Sequence, residues 1–328
     1  MLKILYAAGN CENSRIQLSR FMQAMNNSEH EIKVAAYKIS SPKHLNINWT
    51  LDCLYNIFKP NYISLENDNL ETYYQQVKYY SPDLIISDLE YFTSFIANEL
   101  NITLWQCSSS LINFAVEQKY NLGLFKNYAY LLQKNNSLRT QRQINIIDNS
   151  NCNFVYSHLG DTFQPLSLKR NYQWIRPYHT IGKTSIPCRH NLVAGLLKND
   201  RKIMGLLKKH SDSVAFTEYP HEQHTDLWLK DIDNQEEYFC NLKNCNLFVC
   251  EGQTSFLADA FYNKKYSVVM TNFQDLECVT NSVYSEHLNL GATIYQIDKD
   301  LSSYLNNPVE VCYNDNIRYL HEQISDLA

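Results

Sequence analysis

The side chains able to do chemistry gather in two regions. In the second half, Glu251-Gly252-Gln253-Thr254-Ser255 follows the apolar run Leu247-Phe248-Val249-Cys250, and in the segment after it Phe256, Leu257, Ala260 and Phe261 share one helical face. A glycine turn between a buried strand and a helix leaves backbone N–H groups free at the helix N-terminus, where the dipole favours an anion such as a phosphate. A second strand, Ser267 to Met270, leads into Asn272-Phe273-Gln274-Asp275-Leu276-Glu277. Asp275 and Glu277 thus reach a strand's C-terminal end, the edge where open α/β sheets bind ligands, and each carboxylate can accept two hydroxyls. In the first half, Asp88 and Glu90 follow the apolar strand Leu84 to Ile86, and Glu12 lies in the turn after the strand Lys3 to Ala8. A carboxylate at such an edge can act as a general base toward a hydroxyl, and Asp88 can equally cap the helix beginning near Phe92.

The elements that must position these groups alternate between strand and helix. Leu18, Phe21, Met22 and Met25 form a helical face after the Gly9 turn, capped by Asn13 or Ser14, and Glu31 to Tyr37 reads as the next strand. Phe92, Phe95, Ile96 and Leu100 form another face, followed by a strand from Ile102 to Trp105 that runs out at Ser108-Ser109-Ser110. Residues 111–150 read as helical and polar, and Asn153 to Ser157 as a strand. Basic and aromatic residues interleave at Lys169, Arg170, Trp174 and Arg176, which reads as a linker with one packed strand in preference to a nucleic-acid surface. A break near Gly182 to Pro187 separates two domains, 1–184 and 185–328. The second opens with a helix from Leu192 to His210 and a strand from Asp212 to Glu218; Asn281 begins a helix that Gly291 ends, and Asn314 to Leu327 is a last helix. The pattern is α/β, with right-handed βαβ crossovers.

Composition narrows the function. The 328 residues are 45% apolar and 19% charged, ordinary for a soluble globular protein of about two domains. No apolar run is long enough to span a membrane and the N-terminus lacks signal-peptide features, which predicts a cytoplasmic protein. Ten cysteines occur without CxxC pairs, and neither Cys240, Cys245 and Cys250 nor Cys188-Arg189-His190 has metal-ligand spacing, so free thiols and no metal are expected. A net charge of −5 gives no general nucleic-acid signature. Abundant Tyr (24) beside scarce Gly (8) and Pro (8) resembles AT-rich coding, as in many phages.

The stretch from Cys245 to Gly291 resembles the donor-binding half of GT-B nucleotide-sugar glycosyltransferases, in the UDP-glucuronosyltransferase-like and UDP-N-acetylglucosamine-transferase-like branch. Gly252 matches the family's first glycine, Ser255 the step into the helix, and Glu277 and Asn281 the acidic and Asn positions of a later motif. The resemblance implies a GT-B architecture of two Rossmann-like domains facing a cleft, with the acceptor side first and the last helix crossing back. It implies that Gly252, Gln253, Thr254 and Ser255 bind the diphosphate and that Asp259, where the family has Glu, bonds the ribose; a solvated helix residue is the alternative for Asp259. It further implies that Asp275 and Glu277 meet the sugar and that His221 lies near the nucleotide base. Gln253 replaces the second glycine and Cys278 the family's Gln, while Asn13-Ser14 stands in place of its catalytic Gly-His pair. A base is therefore expected from Asp88, then Glu12 or Glu90, with Arg15 or Arg176 neutralising the diphosphate in a metal-independent, inverting transfer. The donor, a UDP-sugar, is a substrate, so no cofactor is expected. The acceptor stays unassigned; a hydroxymethylated base of phage DNA is one candidate, which the acidic charge counts against. A non-catalytic nucleotide-sugar-binding protein and a GT-B epimerase are the alternative functions.

Overall fold

The computed structural model describes residues 1–9, 12–36, 62–64, 70–116, 137–163, 165–182, 190–196, 201–210, 212–217, 228–231, 234–270, 275–294, 301–304, 307 and 309–327. They form two wholly parallel sheets flanked by helices. The first contains β1 (Lys3–Ala7), β2 (Glu31–Ala36), β3 (Tyr62–Ser64), β4 (Leu84–Ser87), β5 (Thr103–Ser108), β6 (Cys152–Tyr156) and β7 (Tyr172–Ile175), in the order β3-β2-β1-β4-β5-β6-β7. The helices that connect them are α1 (Glu12–Met25), α2 (Leu70–Tyr80), α3 (Tyr91–Glu99), the short α4 (Ile112–Ala115) and α5 (Ser137–Asp148). Residues 117–136 of the expected helical stretch lie outside the described residues.

The second sheet contains β8 (Leu192–Leu196), β9 (Ser213–Thr217), β10 (Trp228–Asp231), β11 (Leu247–Cys250), β12 (Ser267–Val269) and β13 (Gly291–Thr293), ordered β10-β9-β8-β11-β12-β13. Its helices are α6 (Arg201–Leu207), α7 (Gln235–Asn244), α8 (Thr254–Tyr262) and α9 (Leu276–His287), and α10 (Leu320–Ser325) ends the chain. Each sheet reverses its strand order once, between β1 and β4 in the first and between β8 and β11 in the second. Ligands of open parallel sheets bind outside the C-terminal strand ends at such reversals.

Three expected elements are corrected. The helix expected from Asn281 to Gly291 is α9, which begins at Leu276 and ends at His287, while Gly291 opens β13. The last helix is confined to Leu320–Ser325. The third lies at the start of the second sheet. Leu192 to Leu196 is the central strand β8 and not the start of a helix, which begins only at Arg201. The run is apolar throughout and buried on both faces, so it carries no period by which strand and helix differ. At Gly195 a Cβ would lie 2.8 Å from the Phe256 ring and 3.0 Å from Phe248, which ties this strand to the helix behind it.

The two sheets share buried contacts. Leu111, Ile112, Val155 and Leu159 of the first half pack with Ala258, Phe261, Tyr262 and Tyr284 of the second. The last helix returns to the first sheet, where Leu320 and Ile324 join Ile4, Tyr6 and Phe21 in one core. Arg20 of α1 grips the buried carboxylate of Asp259 with two hydrogen bonds, 2.9 and 2.8 Å. Asp161, after β6, accepts from Arg176 at 2.7 and 2.9 Å, from the Tyr262 hydroxyl at 2.6 Å and from the Asn314 N–H at 3.0 Å.

Asp161 therefore fixes the end of the first sheet, helix α8 and the C-terminal segment together. Asp161→Asn turns an amide toward donors and leaves the Arg176 cation without its partner, so a loss of about 3–5 kcal/mol is expected. Chemical denaturation measures it; an unchanged midpoint would show that these contacts do not hold the two halves.

Candidate active site

The first candidate residue lies at the reversal of the first sheet. Asp88 follows β4 and is 7% exposed. Gly9 follows the neighbouring strand β1, and a Cβ there would come 2.6 Å from the Asp88 carbonyl oxygen and 2.9 Å from both Asp88 Oδ2 and Ser14 Oγ. Only glycine permits that approach. The Ser14 hydroxyl donates to Asp88 Oδ2, and the Ser108 hydroxyl and Gly9 backbone N–H also bond the carboxylate. Burial raises the Asp88 pKa, and these three hydrogen bonds pull part of that rise back.

Glu90, expected as an alternative base, performs the capping offered above as the bland role of Asp88. Its carboxylate accepts from the Phe92 N–H at 2.9 Å and the Thr93 N–H at 2.6 Å at the start of α3, and it is 2% exposed. Leu89 between them adopts φ +51°, a conformation unfavourable for a branched side chain. That reversal leaves Asp88 at the strand end and turns Glu90 back onto the helix. Glu12 opens α1; its side chain and that of Arg15 lie outside the described residues, as does His221.

The second candidate site lies at the other reversal. Gly252, just after β11, has φ +106°, and a Cβ would meet the Cys278 carbonyl oxygen at 2.9 Å. Asn281 of α9 closes the turn by donating to the Gly252 carbonyl at 3.0 Å and to Thr254 Oγ1 at 2.9 Å. Gln253 is the N-cap of α8 but makes no capping bond with its side chain; its amide nitrogen donates to Glu251 at 2.7 Å. Glu277 caps the helix from α9: one oxygen accepts from the Thr254 hydroxyl at 2.9 Å and the Thr254 N–H at 3.4 Å. The other accepts from the Ser110 hydroxyl of the first half at 2.9 Å. Burial, then the nearby Asp275 charge, push the Glu277 pKa up to about 7 against the hydrogen bonds from Ser109, Ser110 and Thr254.

Three expected roles change. Asp275 is the N-cap of α9 and bonds the Glu277 N–H at 2.8 Å and the Cys278 N–H at 3.4 Å, so it orders the helix that carries Glu277. Asp259 presents no open carboxylate, nor is it solvated: it is fully buried against Arg20. Burial alone would weaken the Arg20 cation, but the Asp259 charge and hydrogen bond outweigh it and raise the Arg20 pKa. Arg176, expected on a diphosphate, spends its guanidinium on Asp161 and the Asn314 carbonyl. Sequence reasoning missed Arg20, whose partner lies 239 positions away and leaves no local signal. By spacing alone Ser14 is a helix cap and Ser108 to Ser110 a strand end, and neither signal points to a carboxylate partner.

The serines at the end of β5 unite the two sites. Ser108 bonds Asp88 and Ser110 bonds Glu277, so one hydroxyl edge carries a buried carboxylate from each half, and each pKa is raised. Such pairs in a cleft are suited to proton transfer. Thr280 of α9 meets Asn113 beside them at 2.6 Å. Among the described residues no group of His, Cys, Asp and Glu is placed to hold a metal ion.

No protein-family model and no curated protein sequence matches the chain. Solved structures do. The glycosyltransferase SsfS6 of Streptomyces sp. SF2575, complexed with thymidine diphosphate, superposes with a TM-score of 0.60 at 10% identity over 93% of this chain and 92% of that one. The spinosyn rhamnosyltransferase SpnG with thymidine diphosphate gives 0.56 at 10% identity over 93% and 90%. The calicheamicin glycosyltransferase CalG4 gives 0.50 at 13% identity over 90% and 85%. At these identities the likeness establishes the fold: the chain has the GT-B architecture, two Rossmann-like domains facing a cleft.

The geometry separates Glu90 from the chemistry. Glu90→Ala should cost about 1 kcal/mol in urea unfolding, the value of a lost cap, while Glu90→Gln keeps an acceptor and most of the stability. A loss in Glu90→Gln as large as in Glu90→Ala, or none in either, would overturn the capping role.

Proposed function

We propose that this chain is a glycosyltransferase moving a sugar from a nucleotide-sugar donor to an acceptor hydroxyl. What supports it is the placement of one buried carboxylate and one glycine-led helix N-terminus at the two strand-order reversals of a GT-B fold. In this reading residues 1–184 form the acceptor side and 185–328 the donor side. Gly252 to Ser255 offer N–H and hydroxyl groups to the diphosphate, whose developing charge the dipole of α8 offsets without a metal. Asp88 takes the acceptor proton as the hydroxyl oxygen attacks the anomeric carbon; the bond to the diphosphate oxygen breaks and its electrons leave with the nucleotide. A carboxylate whose pKa is raised is the stronger base for this step.

The enzyme is cytoplasmic in this reading, inverts the anomeric centre and uses no cofactor beyond its substrate. The sequence resemblance favours uridine diphosphate as the carrier, and thymidine diphosphate, bound in SsfS6 and SpnG, is the second carrier to test. SpnG also binds a spinosyn aglycone, which favours a small hydroxylated acceptor over a DNA base. Nucleotide release from a donor panel, with and without acceptor, separates this reading from the others: an epimerase releases nucleotide with an altered sugar, and a binding protein releases none.

Asp88→Asn keeps the shape and one acceptor oxygen for Ser14 but takes no proton. Turnover should fall by about 10²–10⁴, with donor affinity within a few-fold. Because Glu90 caps the helix, the substitution does not disturb that end of α3. Turnover within a few-fold of the parent would assign the base role to Glu12.

A further inference from the structure

Helix α8 begins with an occupied anion seat. Its own N-cap residue offers no side-chain bond, and the Thr254 N–H and hydroxyl instead face the Glu277 carboxylate. That carboxylate also reaches across to Ser110, so it closes the seat and ties the two halves together. Beside it, the Gln253 Oε1 and Asn281 Oδ1 atoms are buried and face no donor, although each residue's amide nitrogen is bonded and its orientation thereby fixed. Two buried acceptors without donors are costly, and a ligand bearing hydroxyls beside its anion would satisfy them.

We infer that Glu277 is a proton-linked gate on the donor seat: an incoming diphosphate takes the Thr254 N–H from it, and Glu277 takes up one proton from solvent as it yields. This rests on the donor-site reading given above. The balance is simple. Two anions cannot share one N–H and one hydroxyl in a buried place, so the weaker acid is protonated. The neutral carboxyl then donates its O–H to a phosphate oxygen, replacing repulsion by a hydrogen bond. Charges around Glu277 push the same way. Asp275 faces it from the start of its own helix, and Glu251 acts on the adjoining Cys278 thiol, itself beside the Cys250 thiol; from the first half come the Ser109 and Ser110 hydroxyls. With a pKa already near 7, Glu277 is ionised in the free protein above that pH and neutral in the complex. Binding therefore strengthens as pH falls toward 7 and levels off below it.

The test is calorimetry with uridine diphosphate and thymidine diphosphate, in buffers of different ionisation enthalpy. Near pH 8.5 the wild-type protein should take up close to one proton per nucleotide, and Kd should tighten about tenfold between there and pH 7. Glu277→Gln should abolish this uptake and bind at every pH about as tightly as the wild type does at low pH. Any protonation of the phosphate itself is common to both proteins and cancels. A carboxyl carbon resonance of labelled glutamate, shifting to its protonated position on nucleotide binding, gives the same answer without a variant. Binding with no uptake, or equal uptake in Glu277→Gln, overturns the gate and leaves the donor site standing. No binding of either nucleotide overturns both.

Discussion

A carboxylate removed from water must be met by donors, or its burial costs more than a small domain can spare. Asp88, Asp161, Asp259 and Glu277 are all buried, and each draws donors from distant parts of the chain. Asp161 gathers β7, α8 and the C-terminal segment; Asp259 gathers α1; Glu277 gathers the end of β5. Asp88 gathers the turn after β1 and the last residue of β5. The two sheets could pack in other ways on apolar contacts alone, since hydrophobic burial is non-directional. The buried acids allow few arrangements, because each requires particular donors at hydrogen-bonding distance.

The parallel sheets decide where those acids can act. A parallel strand buried on both faces has side chains packed above and below, so polar chemistry is confined to its ends. At a reversal of strand order the connections leave in opposite directions and open a crevice there. Gly9 with Asp88 and Gly252 with Glu277 stand at these two crevices, and both glycines are required by close approach: Gly9 to Asp88, Gly252 to the backbone of Cys278. The same neighbour that forces glycine is in each case the acid-bearing segment, so turn and acid form one packed unit.

Much of this was legible in the sequence. Apolar runs ending in Gly9, Asp88 and Gly252 announced parallel strands and their functional edge, because glycine turns and strand-end acids are local signals. The run from Leu192 to Leu196 misled because a strand buried on both faces has no period. Spacing offers Asp88 as the cap of α3, but Glu90 has the longer reach and takes that place, and the left-handed Leu89 that turns it is invisible in composition. Pairing across the two halves was beyond reach altogether. Nothing near Asp259 in sequence indicates Arg20, and nothing near Glu277 indicates Ser110, since both contacts arise from how the sheets pack.

What the donors are separates the four acids into two kinds. Asp161 and Asp259 are each held by a guanidinium fork, which fixes the charge in place and lends it to the architecture. Asp88 and Glu277 are set against hydroxyl and N–H groups. A neutral donor orients a carboxylate without cancelling its charge, so burial still weighs on the ionised form and both pKa values rise. The Asp259 pKa is raised as well, because burial outweighs what Arg20 gives back, so the two kinds differ in whether a cation or neutral donors hold the acid and not in the direction of the shift. The same physical demand, that a buried carboxylate be solvated by protein, is thus met by a guanidinium at Asp161 and Asp259 and by neutral N–H and hydroxyl donors at Asp88, Glu90 and Glu277, and the serines at and just after the end of β5 hold one acid from each half.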